Sequence, residues 1–230
     1  MFNKKEALAL LVSALVLGYV ISFGSLTWIS WLSMAGLALV MLFFHHFGQK
    51  ISALFYDCSA EAQLWTVRQF WLKKGSHFRF DFPMWAALPI FAVILTFGFI
   101  KWLAVTTFEA APLPSRVHRK YAELTDWDLA LIATGGIFFN AFLAVVSQAF
   151  GWHDFAMLNL YFILFNLVPI STLDGSKIFF GSVMLWIFCV VAAVLLLLLL
   201  GTVGLATTII AAAIIGISAV VIYYFSMHPL

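Results

Sequence analysis

Long apolar runs separated by short turns organise this chain. The first covers Ala7–Phe23, behind Lys4 and Lys5. A Gly24–Thr27 turn leads to Trp28–Gly48 and then Lys50. Residues 56–82 are polar and carry Arg68, Lys73, Lys74 and Arg79. Met84–Val105 is apolar again, interrupted by Pro89, Gly98 and Lys101. A second polar stretch, 108–128, holds Pro112, Pro114, Arg116, Arg119 and Lys120. Leu129–Phe150 and a Gly151–Asp154 turn precede a long run, Phe155–Gly181, which contains Asn166, Pro169, Asp174 and Lys177. Val203–Phe225 and the preceding Val183–Leu200 are almost wholly apolar. A helix needs about 20 apolar residues to cross the hydrocarbon core, so runs of this length predict transmembrane helices.

Composition narrows the class. Of 230 residues, 64% are apolar or aromatic and 10% are charged. A soluble domain is roughly a quarter charged, and a soluble chain this small cannot hide so much apolar surface from water. Soluble enzymes, nucleic-acid binders and disordered proteins are excluded. The expectation is an all-α polytopic membrane protein, one integral domain over 1–230, with the lipid bilayer as its first partner. Ala7–Phe23 resembles a signal peptide, but no clear A-x-A cleavage site follows, so it reads as a retained span. Cys58 and Cys189 lie far apart and outside any C-x-x-C pair, as ordinary thiols do.

Lys and Arg placement orients the spans. If Met84–Val105 crosses fully, the Arg116–Lys120 cluster lies outside. If it dips in and returns, about six spans remain and all 12 Lys and Arg fall on the inner side or at inner span ends. The turns at 24–27, 151–154 and 201–202 carry none. We therefore expect about six transmembrane helices, both termini cytoplasmic, and a re-entrant or hairpin segment at 84–105.

Polar side chains inside spans mark candidate chemistry. The second span ends Phe43-Phe44-His45-His46-Phe47-Gly48-Gln49-Lys50. The run Asn166-Leu167-Val168-Pro169-Ile170-Ser171-Thr172-Leu173-Asp174-Gly175 must break at Pro169, which lacks an N–H and collides with the preceding turn. Asp174 would then open a new helix, with its carboxylate where negative charge is favoured. A carboxylate at a kink opposite a membrane histidine suits a metal or proton site. It equally suits a polar kink bonded to neighbouring helices.

Asn166-x-x-Pro169-x-x-x-Leu173-Asp174-Gly175 resembles the N-x-x-P-x-x-x-L-D-G motif of the site-2 proteases, zinc metalloproteases that cut inside the membrane. Ala133-Thr134-Gly135-Gly136-Ile137-Phe138-Phe139-Asn140-Ala141 resembles the family's G-P-x-x-N motif, with Gly136 replacing Pro and one more residue before Asn. His45 to Lys50 falls where the family carries H-E-x-x-H, in an archaeal-looking form H-E-L-A-H-K. Tyr56-Asp57-Cys58-Ser59-Ala60-Glu61 resembles the family's segment just after that helix. The order of the motifs is the family order. The resemblance covers about 28–181 as a site-2-protease-like core, with 183–225 as a C-terminal helical hairpin. It implies a prokaryotic, archaeal-like cell membrane and a transmembrane protein as partner or substrate.

The departures decide the expected activity. In H-E-x-x-H both histidines share one helix face and bind one zinc, and the Glu is the general base. Here His45 and Asp174 stand at two ligand positions, Gln49 at the second-His position and His46 at the Glu position. Catalytic zinc takes three protein ligands plus water, and a Gln amide oxygen substitutes poorly for imidazole. Losing the base alone costs about 10²–10⁴-fold. The expectation is a pseudoprotease that binds membrane protein partners, with zinc weak or absent. The alternatives are an active intramembrane zinc metalloendopeptidase with His46 as base, another metal on His45, His46 and Asp174, and a transporter or proton relay on those three residues. Adjacent helical residues point about 100° apart, which strains a shared ion.

Asn140 is either a group that orients substrate, as its family position implies, or an interhelical hydrogen-bonding residue. Asn166 and Pro169 are implied to line a substrate groove. Trp28, Trp31, Trp65, Trp71, Trp85, Trp127 and Trp152 fall near predicted interfaces, as in an aromatic belt. Gly201, Gly204 and Gly216, with Ala206 and Ala211–Ala213, suit close helix packing. His77, His118, His153 and His228 are expected in loops or at the C-terminus, solvated or interfacial.

Overall fold

The computed structural model describes residues 2–25, 27–69, 77–114 and 123–227. Trp71, Lys73, Lys74, Arg116, His118, Arg119, Lys120 and His228 lie outside them, and the side chain of His77 is likewise not described. The described residues are mostly helical, with eight helices and four strands. The helices are α1 (Lys4–Ser22), α2 (Trp28–Phe55), α3 (Met84–Leu95), α4 (Asp126–Ala149), α5 (His153–Asn166), α6 (Asp174–Gly181), α7 (Val183–Leu199) and α8 (Leu205–Met227). Four of them, α1, α2, α4 and α8, are long and apolar enough to cross a membrane. The shorter α3 and α7 are also apolar. The chain is thus compatible with a membrane protein, by helix length and composition.

Helix ends follow side-chain chemistry more than hydropathy. Asn3 caps α1: its Oδ1 accepts from the Glu6 N–H at 2.8 Å, and its own N–H donates to Glu6 Oε2 at 2.7 Å. Thr125 and Asp128 repeat this box at α4, so that helix starts three residues before its apolar run. Pro169 falls between α5 and α6, and Ser171 adopts a left-handed φ of 55° there. The break expected at the proline is present, and Asp174 opens the helix after it.

The hydropathy pattern does not announce the strands. β1 (Cys58–Leu64) pairs with β4 (Thr106–Pro112), and β2 (Val67–Gln69) pairs antiparallel with β3 (His77–Phe82). In β1 the buried positions Cys58, Ala60 and Ala62 alternate with Ser59, Glu61 and Gln63. The period of a strand is present, but small side chains carry it.

The chain forms two compact units, residues 1–43 with 61–109 and residues 44–60 with 110–230. In the first, Trp65 clasps both ends of the 84–105 segment. Its carbonyl accepts from the Trp85 N–H at 2.9 Å, and its N–H donates to the Val105 carbonyl at 3.0 Å. Between these ends α3 leads to a turn at Phe97 and Gly98, with φ of 53° and 87°. At the turn Gly98 packs on Phe23, and Lys101 Nζ donates to the Ile21 carbonyl at 2.7 Å. The segment is therefore a hairpin lying along α1.

Two expectations need correction. Lys101 does not lie with Lys4 and Lys5: it bonds Ile21, and 17 residues of helix put those levels about 26 Å apart. The hairpin carries it there, which a linear count of basic residues cannot register. Trp65 is not an interfacial residue either. It is fully buried and stacks on Trp102, with ring centroids 6.2 Å apart. Trp28, Trp127 and Trp152 are exposed.

The second unit holds α4 to α8 and the end of α2. Gly216 of α8 lets the Phe188 ring of α7 approach where a Cβ would stand 2.9 Å from it, so this glycine serves packing within that helix pair, whereas Gly201, Gly204, Ala206 and Ala213 are exposed.

Candidate functional site

The polar groups singled out along the chain meet inside the second unit. His45, His46 and Gln49 come from α2, Asn140 from α4 and Asp174 from the start of α6. All are buried, none more than 2% exposed. Gly136 makes room for them: a Cβ there would stand 2.8 Å from His45 Cε1 and 2.9 Å from Gln49 Cγ. Gly136 thus sets how closely α4 approaches the end of α2.

His45 is held on both sides of its ring. Nε2 lies 2.7 Å from Asp174 Oδ2, and Nδ1 lies 3.2 Å from Asn140 Oδ1. Phe162 packs edge-on against the imidazole at 5.0 Å between centroids. Gln49 Nε2 donates to Asp174 Oδ2 at 2.9 Å and lies 3.1 Å from His45 Nε2. Gln49 Oε1 is turned the other way, 2.7 Å from His46 Nδ1, so that ring nitrogen carries the proton. Asp174 Oδ1 accepts no hydrogen bond among the described residues.

Asn159 of α5 completes the set, and sequence reasoning passed over it. Its Oδ1 accepts from Asn140 Nδ2 at 3.0 Å, and its Nδ2 donates to the Phe155 carbonyl at 2.8 Å. Its signal was present, an amide inside an apolar run, but no motif drew attention to it. Asn166 bonds the Phe162 carbonyl at 2.9 Å through Nδ2, and its Oδ1 has no partner among the described residues. Pro169 is exposed in the break. His153 is exposed and pairs with Gln148. Cys58 and Cys189 are buried free thiols. A separate apolar cavity of about 350 Å³ is lined by α4, α5, α7 and α8, with Phe138, Phe142, Phe188 and Ala212 among its walls.

The donor chemistry does not fit a catalytic zinc. Only His45 and Asp174 among the three candidate ligand positions carry groups suited to zinc, and here they meet at 2.7 Å with one proton between them. Gln49 turns its NH2 toward this pair and donates to Asp174 Oδ2 at 2.9 Å, and an N–H cannot ligate a cation. The arrangement can do what buried hydrogen-bonded groups do: join helices, fix side-chain orientation and hold a proton.

No family model, no curated protein and no solved structure matches this chain.

Proposed function

We propose that this chain is a degenerate member of the site-2 protease class that binds a transmembrane segment of a partner protein without cutting it. In this reading α1, α2, α4, the broken pair α5 and α6, α7 and α8 cross the membrane, and the 84–105 hairpin enters and leaves on one side. Both termini are then cytoplasmic.

One observation carries the loss of catalysis: Gln49 Nε2 stands within hydrogen-bond distance of both His45 Nε2 and Asp174 Oδ2. A donor occupies the side from which a third ligand would act, and the Glu position holds His46. The class itself is supported by the order of the three motifs and by the meeting of their residues in one buried cluster. The hairpin topology is supported by Trp65, which bonds both of its ends.

The test is metal content together with turnover. The purified protein should hold well below one zinc per chain and leave single-span peptides intact in proteoliposomes. One zinc per chain, lost in His45→Ala and in Asp174→Ala and accompanied by cleavage, would make this a working protease. The double change His46→Glu with Gln49→His should gain zinc. A folded double variant that takes up none would remove the proposed ancestry of the site.

A further inference from the structure

Hydrogen-bond polarity can be traced through the buried cluster from one fixed end. The Phe155 backbone carbonyl can only accept, so the Asn159 atom 2.8 Å from it must be the amide nitrogen. Asn159 Oδ1 then faces Asn140, and that atom too can only accept. The Asn140 atom 3.0 Å away must therefore be its NH2. This turns Asn140 Oδ1 toward His45, 3.2 Å from Nδ1. An oxygen there requires an N–H, so Nδ1 of His45 carries a proton. The opposite assignment would set two oxygens against each other at Phe155, an unfavourable contact between buried groups.

We propose that Asn159 and Asn140 form a positioning relay that reads the direction of the Phe155 carbonyl on α5 and imposes the Nδ1–H form on His45 of α2. Nε2 is thereby left to share the single proton that lies between it and Asp174 Oδ2, 2.7 Å away. Both asparagines act on Asp174 through the imidazole. The relay spans α5, α4 and α2, and all three side chains are buried, with His45 at 1% exposure and both asparagines at 0%. The Phe155 carbonyl, which can only accept, fixes one end of this chain of amides, so one flip would disrupt every later link. Ring nitrogens that face a metal or a carboxylate are commonly set in this manner by a bond to the other nitrogen. Here the setting group is two residues removed from the histidine. The proposal concerns the imidazole alone and stands whether or not the chain is of the site-2 protease class.

The experiment is nitrogen NMR of the full chain, labelled with ¹⁵N-histidine and reconstituted in lipid, with His45 assigned by its loss in His45→Gln. The wild type should show proton attachment at Nδ1 as a single form. Asn159→Leu should end that uniformity, with the Nε2–H form appearing because Asn140 can now rotate its amide. Asn140→Leu should have the same effect by removing the acceptor. Asn166→Leu removes another buried asparagine, bonded to Phe162 rather than to this chain, and should leave the His45 signals unchanged. A purely structural role for the asparagines would disturb all three variants alike. A wild-type His45 with its only proton on Nε2 would overturn the proposal without any variant. So would an Asn159→Leu protein that keeps the single Nδ1–H form.

Discussion

At the scale of single residues, the site depends on what each side chain can donate or accept. Gln49 differs from histidine in having no nitrogen lone pair, and its amide turns N–H groups toward Asp174 and His45. Gly136 matters through the atoms it lacks. Gly136→Ala would press a methyl group against His45 and Gln49, at 2.8 and 2.9 Å before relaxation. Overpacking of this kind costs about 1–3 kcal/mol, so the variant should unfold at lower denaturant in micelles than the wild type. An unchanged midpoint would mean that α2 and α4 are free to separate. The motif residues were legible along the chain because an amide or a charge in an apolar run is conspicuous. Their bonding was not legible, since it depends on which face of each helix turns inward.

At the scale of elements, caps and clasps decide what hydropathy leaves open. The Thr125–Asp128 box begins α4 in polar sequence, where no apolar count would place it. Thr125→Ala should cost about 1 kcal/mol of stability, measurable as a lowered unfolding midpoint, while Thr134→Ala serves as a comparison inside the same helix. No loss in Thr125→Ala would show that α4 is held by packing alone. The 84–105 hairpin makes a topological prediction. With Cys58 and Cys189 replaced by Ser, cysteines placed at Asp81 and Glu109 should react with a membrane-impermeant thiol reagent from the same side. A cysteine at Phe97, which is 92% exposed at the tip beside Phe23, should not react from the side that labels positions 81 and 109. Labelling of positions 81 and 109 from opposite sides would make the segment a crossing and reverse everything after it. The amphipathic period of β1 was readable in Cys-Ser-Ala-Glu-Ala-Gln-Leu, but alanines give too weak an apolar signal to mark a strand.

At the scale of the molecule, the apolar composition and the run lengths pointed to helices able to cross a membrane, and four helices of that length and composition are present. They also located the long helices and the break at Pro169, since a missing N–H and a ring clash act locally. Other features came only from the tertiary structure. Trp65 gathers the two ends of the hairpin, and Lys101 is carried to the far end of α1. Asn159 joins the cluster across 19 residues of chain from Asn140, and Asp174 reaches His45 across 129. Hydropathy records how each residue prefers its surroundings. It carries no record of which buried donor finds which acceptor, and here that pairing decides whether His45 and Asp174 face a ligand or each other.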